Sequence, residues 1–430
     1  MVTYIFISGK NWILSLAELV EYFQARQIKF EIQYFNREFF IINFEKKIHT
    51  SLIADLGGTI KIGELKATLP TQTIKDAFED KNKQAQKQIN DNIVASGVAN
   101  AMAAFSEKPF FGVSVYCTNN YLHSALGDIQ RLVGSSIKET LAESGKKSQF
   151  MGFKDRKQSK LSHVEIIKKK MVENQSEILL CIGKEETWIA ATSAVHNPFD
   201  FQKRDVYKPN QRAIFGMPPR LARIMVNLSL CNTGKTLLDA FCGVGTILQE
   251  ALLEGAATIG IDVNSWCVKA AEENLVWTAK EYKLQSVDFR VLQGDVKRID
   301  EKVGLEAVDC IVSEPDLGPA LKQFPTKSYA QKIIEKLEPL FREFIEQAYR
   351  VLMINGRLVF VTPCIKTRSG QLVLMSIDKT MNDVGFKRIN TFSREIFSNN
   401  LDVGRLVHSA SLIEMDERHK VGREIHILQK

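Results

Sequence analysis

Residues 239–246, Asp-Ala-Phe-Cys-Gly-Val-Gly-Thr, set a carboxylate and two glycines between an apolar run and a helical one. Residues 236–242 (TLLDAFC) read as a short buried strand and 246–255 (TILQEALLEG) as a helix that opens on the turn. Gly243 and Gly245 let the backbone approach a bound molecule with no Cβ in the way, beside a helix N-terminus. The third glycine of the dinucleotide fingerprint is missing, because its position holds Leu248, so nicotinamide binding is the weaker reading. Residues 257–262 (ATIGID) form an apolar strand ending in Asp262, whose two oxygens can accept from the two hydroxyls of a ribose. The next strand, around 289–292, leads to Gly294-Asp295, and a carboxylate there can accept from the exocyclic amine of adenine. A lone aspartate would read as a helix cap or turn residue. Three of them after three successive strands describe an S-adenosylmethionine pocket, since open parallel sheets bind ligands at their carboxyl ends. The residues expected to line it are Asp239, Phe241, Cys242, Gly243, Gly245, Thr246, Asp262, Val263, Asp295 and Val296. Cys242 has no basic partner nearby in sequence and reads as a packed small residue rather than a nucleophile.

The elements that must position these residues follow from pattern. From residue 236 strands and helices alternate, with later strands at 308–312 and 357–361, helices at 329–352 and 371–384, and closing apolar runs at 386–396 and 424–428. This is the rhythm of an α/β, doubly wound, seven-stranded Rossmann-like methyltransferase domain with an antiparallel edge. Before it, residues 1–60 carry three strand-like runs and a helix from Ser15 to Arg26, expected as a small ferredoxin-like α+β module. Residues 61–195 describe a second α+β unit. Residues 196–218, with Pro198, Pro209 and Pro218, read as a linker, and Pro219 suits the first turn of a helix over 220–229. The catalytic unit is then 219–430.

Composition bounds the class. A chain of 430 residues, 45% hydrophobic and 25% charged, is globular with two or three domains. No apolar run approaches the ~18 residues of a membrane helix, and the start, MVTYIFISGK, reads as a first strand rather than a signal peptide. Seven cysteines without a Cys-x-x-Cys pair argue against a disulfide scaffold or a structural zinc site, and a cytoplasmic, reducing setting is expected. The net charge of +7 is concentrated: between Gly145 and Lys170 nine Lys or Arg face only Asp155 and Glu165. With Phe150 and Phe153 interleaved, this stretch suits phosphates and bases. Lys146, Lys147, Lys154, Arg156, Lys157 and Lys160 are its expected RNA contacts. A solvated charged surface is the plainer alternative for such a run.

Four passages together resemble the THUMP-domain tRNA guanosine-N2-methyltransferases, which modify the guanosine at the tenth nucleotide of tRNA. They are SGKNWILSLAEL near the start, LSHVEIIKKKMVENQSEILLCIG at 161–183, the linker with Arg204-Asp205, Lys208-Pro209 and PRLARIMVNL, and DAFCGVGTILQEAL, where Ala240 replaces the family's proline. The resemblance spans nearly the full length. It implies a THUMP domain over 61–195, S-adenosylmethionine as cofactor and tRNA as partner. A small activating subunit, as in the eukaryotic branch, is an open partner, and a monomer is expected.

The departure lies at the end of the fourth strand. Methylases of exocyclic amines carry Asp/Asn-Pro-Pro-Tyr/Phe there, and this chain has Ser313-Glu314-Pro315-Asp316-Leu317-Gly318-Pro319. A guanine amine delocalises its lone pair into the ring, so an acidic oxygen and a backbone carbonyl accepting its protons make it more nucleophilic. Glu314 can supply the carboxylate on a longer stem, Pro315 can turn a carbonyl outward, and Asp316 completes the expected catalytic set, whereas Leu317 cannot stack as a ring does. Three readings follow: an active tRNA guanine-N2 methyltransferase, a tRNA-binding protein that keeps its pocket with weak or lost catalysis, and an amino-methyltransferase acting on DNA or another substrate.

Overall fold

The first strand, β1 (Val2–Ser8), feeds helix α1 (Trp12–Ala25) through Asn11, whose side chain accepts from the Leu14 N–H and caps the first turn. Then come β2 (Phe30–Phe35), β3 (Phe39–Phe44), β4 (Thr59–Pro70), α2 (Thr71–Phe78), α3 (Lys83–Ala95), α4 (Val98–Phe105), β5 (Phe110–Cys117), α5 (Leu126–Glu143), β6 (Gln149–Met151), α6 (His163–Lys168), β7 (Glu177–Ile182) and β8 (Glu186–Val195). These strands form one sheet in the order β2-β3-β1-β4-β8-β7-β5-β6. The computed structural model describes residues 1–430 except 154, 156–157, 213–215, 286, 400 and 410.

One long strand joins what reads in sequence as two units. β4 pairs with β1 on one side and with β8 on the other, so residues 1–60 and 61–195 share a sheet with no break at residue 60. At its centre Lys61 is fully buried and donates to Glu177 at 2.5 Å, and Glu177 also accepts from Ser114 and Thr192. Such a pair persists only because its remaining lone pairs and protons are also bonded.

The expected linker is a docked element. Helix α7 (Pro198–Val206) starts on a proline, with Asn197 accepting from the Phe199 N–H, and α8 (Pro219–Leu228) follows. The segment is irregular only in part because Phe201 and Arg204 turn inward: Arg204 is 4% exposed and donates to Glu250 at 2.6 Å.

The second sheet is built from β9 (Thr236–Asp239), α9 (Thr246–Leu253), β10 (Ala257–Asp262), α10 (Ser265–Glu281), β11 (Phe289–Gln293), α11 (Ile299–Val303), β12 (Val308–Ser313), α12 (Lys327–Val351), β13 (Leu352–Lys366), β14 (Leu372–Leu374), α13 (Asp378–Val384), β15 (Lys387–Arg388), α14 (Gly404–Ser409), β16 (Leu412–Glu414) and β17 (Val421–Gln429). The strand order is β11-β10-β9-β12-β13-β17-β15, with β14 on β13 and β16 on β17. The first five of that path are parallel, and β17 runs antiparallel to β13. The order reverses at β9, which puts the crevice at the carboxyl ends of β9, β10 and β12. This is a mixed α/β methyltransferase fold.

Two sequence expectations change here. The helix expected over 371–384 is half that length, because Leu372–Leu374 pairs with Cys364–Lys366 as β14. The apolar run 386–396 contributes only two strand residues and a 3-10 turn at Arg394–Ile396, since its aromatic residues Phe386 and Phe392 fill separate cores.

The two halves share a core. Phe6 and Phe44 of the first sheet and Phe23 of α1 belong to the same apolar cluster as Ala222 and Met225 of α8, Leu237 of the second sheet and Leu248 of α9. The Leu-Ser-x-Ala-Glu run of α1 makes the joint. Ser15 Oγ donates to Gly58 O at 2.9 Å, and the buried Glu18 accepts from the N–H groups of Gly57 and Gly58, both at 2.7 Å, and from Asn227 Nδ2 at 2.8 Å. Gly57 is required there: a Cβ would come within 2.1 Å of Arg220 O.

Candidate active site

Asp239 closes β9 and is 1% exposed. It accepts from the Phe241 N–H at 3.2 Å, while Ser313, ending β12, accepts from the Ala240 N–H at 2.9 Å. Burial pushes the Asp239 carboxyl up to about 7. Bonds from Phe241 and Ser313 oppose the rise, and the charges of Asp262 and Glu314 add to it. The three carboxylates at the ends of β9, β10 and β12 are thus within electrostatic reach of one another.

Asp262 organises the glycine turn. Its oxygens accept from the N–H of Gly243 at 2.9 Å and of Asn264 at 2.8 Å, and each keeps a lone pair for a ribose hydroxyl. Cys242 N–H donates to Ile261 O at 2.9 Å, pinning the turn to β10. Gly243 and Gly245 hold φ of 51° and 84°, a left-handed backbone that side chains resist. A Cβ on Gly245 would meet Ala271 Cβ at 3.2 Å, whereas one on Gly243 would project toward open space with only Arg212 Nη1 at 3.9 Å. α9 then begins with no side chain capping its N–H groups. An open backbone cradle, uncapped N–H groups and a ribose acceptor on the adjacent strand fit S-adenosylmethionine.

The other expected ligands vary in placement. Thr246 is buried in the first turn of α9, and Phe241 packs edge-on against Phe344 at 5.3 Å. Cys242 is 5% exposed and its thiol is pushed up by burial, as befits a packed residue. Val263 is 71% exposed beside Asp262, offering a free apolar surface. Asp295 is exposed and accepts from the Lys297 N–H at 3.0 Å, so it caps its own turn, with Val296 buried behind it.

Two cations that the sequence reading left without a role stand over the turn. Lys208 is 6% exposed and donates to Thr246 Oγ1 at 2.8 Å, and burial pulls its ammonium below the usual range. Arg212 lies at Gly243. The Lys208-Pro209 pair was a visible signal, but nothing in its spacing tied it to a glycine turn 35 residues downstream.

At the end of β12 Glu314 is not free. Arg423 of β17 donates through Nε to Glu314 Oε1 at 2.5 Å and through Nη1 to Glu414 Oε2 at 3.4 Å. Burial works against the Arg423 charge, but Glu314 and Glu414 raise its pKa above the ordinary value. Pro315 is buried. Asp316 is exposed and accepts from the Gly318 N–H at 3.0 Å, holding a turn in which Gly318 has φ of 91°. Asp316 therefore shapes the loop. Leu317 packs against the shared core.

Of the basic run, Lys154, Arg156 and Lys157 lie outside the described residues. Lys146 pairs with Glu107 at 2.7 Å, and Lys160 pairs with Glu38 at 2.5 Å while standing 4.9 Å from the Tyr116 ring centroid. Lys147 is exposed, as are Lys168, Lys169 and Lys170. The Glu38 that holds Lys160 leads toward the catalytic half: its carbonyl accepts from the Ser8 N–H, and Lys10, two residues on, pairs with Asp416 beyond β16.

The buried Asp239 predicts a pH dependence. A carboxyl raised from 3.8 to about 7 adds stability that is full below about pH 4 and is lost as pH rises through about 7. A cationic ligand seated beside it favours the ionised form, so S-adenosylmethionine affinity is expected to rise toward pH 7 and level off above it. Calorimetry across neutral pH on wild type and Asp239→Asn checks this: the slope should vanish in the variant, and a flat wild-type profile removes Asp239 from the site.

A family model described as RMKL-like, methyltransferase domain, matches residues 209–381, and a DNA methylase model matches 36–273. The tRNA (guanine(10)-N2)-dimethyltransferase of Methanothermobacter thermautotrophicus is 37% identical over 161 residues, 36% of this chain and 42% of the relative. That of Methanocaldococcus jannaschii is 32% identical over 181 residues, 40% of this chain and 46% of the relative. The chain thus spans less than half the length of these two curated relatives. The crystal structure of TrmN from Thermus thermophilus matches with a TM-score of 0.51 at 14% identity, covering 100% of this chain and 99% of that one, a likeness of fold. With its glycine turn and strand order, and with the model described as DNA methylase matching more than half of it, the chain belongs to that methylase family, and over about a third of its length it is similar to the tRNA guanine-N2-methyltransferases.

Proposed function

We propose that this protein transfers a methyl group from S-adenosylmethionine to the exocyclic N2 amine of a guanosine in tRNA. The observation that carries the reading is the meeting of Asp239, Asp262 and Glu314 at adjacent strand ends, beside a glycine turn open to a ligand. The relatives named for guanine-N2 methylation supply the substrate class. When bound, the cofactor supplies a methyl group made electrophilic by its sulfonium. Gly243, Gly245 and the first N–H groups of α9 hold its amino-acid end with Lys208 and Arg212, Asp262 holds the ribose, and Asp295 with Val263 and Val296 frames the adenine. Glu314 accepts from the guanine amine through Oε2, which among the described residues has no bond, and the backbone at Pro315 supplies the second acceptor. Both contacts draw the amine lone pair out of the ring and aim it in line, the positioning on which transfer depends.

In this reading residues 1–60 are a ferredoxin-like module, 61–195 a THUMP-type unit that holds tRNA, 196–218 the joint and 219–430 the catalytic unit, acting as a monomer. The deciding experiment is mass spectrometry of nucleosides from bulk tRNA before and after incubation with the protein and labelled S-adenosylmethionine. Label in N2-methylguanosine is expected. The DNA methylase match over 36–273 favours a second reading. Label in DNA and none in tRNA would replace the first reading with that one, and no label in either would leave a binding protein.

The basic run should add to tRNA affinity through phosphates. Lys147, Lys168 and Lys170 are exposed, whereas Lys160 is already paired. Neutral replacements at the first three are expected to flatten the salt dependence of binding by about one log unit per log salt for each lost contact, and Lys160→Gln by less. Filter binding over a salt series measures the slope, and an unchanged slope makes the run ordinary solvated surface.

A further inference from the structure

Replacing aspartate by glutamate at a reacting centre adds a methylene and a rotatable bond, so the carboxylate needs an anchor to be placed as well. The anchor is in the fold. Arg423 lies on β17, its Cα opposite Pro363 of β13 on one side and Glu414 of β16 on the other. Its side chain is 12% exposed, and its fork divides between two carboxylates: Nε to Glu314 at 2.5 Å and Nη1 to Glu414 at 3.4 Å. β16 is itself fastened from the start of α1, where Asn11 Nδ2 donates to Ile413 O at 2.6 Å. Arg423 therefore has little freedom, and through Oε1 neither has Glu314.

We propose that Arg423 is a positioning residue for Glu314, gripping Oε1 so that Oε2 is presented to the substrate amine, and that this clamp compensates for the long side chain in the Glu-Pro-Asp-Leu loop. The inference rests on the proposed reaction. A carboxylate held at one oxygen by a guanidinium in a partly buried pair is fixed in direction, and Arg does this where Lys, a point charge, cannot serve two acceptors with one planar group.

The test uses the full-length protein with Arg423→Met and Arg423→Lys. Arg423→Met is expected to lower kcat by about 10- to 100-fold with KM for tRNA and cofactor affinity nearly unchanged, as misplacement by ~1 Å does, and Arg423→Lys should recover part of the loss. Wild-type kcat in Arg423→Met, or a loss that falls on KM alone, overturns the proposal. A thermal-unfolding cycle adds a readout free of catalysis. Removing Glu314's charge in Arg423→Met/Glu314→Gln should raise the melting temperature above that of Arg423→Met, because the lone carboxylate beside Asp239 and Glu414 is gone. Additive effects in that cycle overturn the clamp even if every protein is active. Coupling in the cycle with no methyl transfer by wild type instead overturns the proposed function and leaves the contact standing.

Discussion

Glu314→Gln is expected to cut turnover by about 100-fold or more while S-adenosylmethionine binds as in wild type, since a positioned proton acceptor contributes roughly 10²- to 10⁴-fold. Gln keeps an oxygen that can accept but loses the charge that attracts the amine protons as they become acidic during transfer. The effect should fall on kcat, the signature of an interaction made in the transition state. Glu314→Asp separates two accounts of the loop. If glutamate were merely tolerated, the shorter acid would restore a faster rate. The Arg423 contact at 2.5 Å to Oε1 argues the opposite. Shortening the stem breaks the grip or pulls the carboxylate toward β17, so Glu314→Asp is expected to be slower than wild type. Single-turnover methylation of tRNA, with calorimetry for the cofactor, checks both variants. Wild-type turnover in Glu314→Gln would remove Glu314 from the chemistry.

Glu250→Gln is expected to destabilise the protein by about 3–5 kcal/mol, the usual result of taking one partner from a buried ion pair. Glu250 is on α9, fully buried, and accepts from Arg204 at 2.6 Å and Arg223 at 2.8 Å. Arg223 also pairs with Glu254, and Glu254 reaches Arg26, just after α1, at 3.2 Å. One carboxylate thus ties α7, α8 and the helix behind the glycine turn, and its neighbour extends the tie to the end of α1. Gln leaves the Arg204 guanidinium buried without its counter-charge and Arg223 with Glu254 alone. Denaturant unfolding gives the loss directly, and cofactor affinity should fall with it because α9 carries the binding turn. A midpoint within error of wild type would make the network dispensable.

The fold of the second half was legible because its signals are local. A strand–Gly-x-Gly–helix turn and an acid at the next strand end are fixed by neighbouring residues, and β10 ends at Asp262 as its pattern implies. The lysine over the glycine turn was not legible: Lys208 meets Thr246 only because α7 is docked, which depends on a buried pair 46 residues apart in sequence, Arg204 with Glu250. The helix expected at 371–384 failed for a related reason. Residues 372–374 have no strong preference of their own, and the free edge of β13 recruits them.

By itself the sequence determined the class of the second half, the order of its elements and the identity of the acids at its strand ends, because turn chemistry and hydrophobic period act over a few residues. Only the tertiary structure decided what holds those acids. Glu314 and Arg423 are 109 residues apart and meet because β17 returns antiparallel beside β13, and the Leu-Ser-x-Ala-Glu run of α1 becomes a joint because Glu18 reaches Asn227 across 209 residues. Contacts at such separations carry no local signature: they depend on which strands pair and which helix faces share a core, and those are settled by burial over the whole chain.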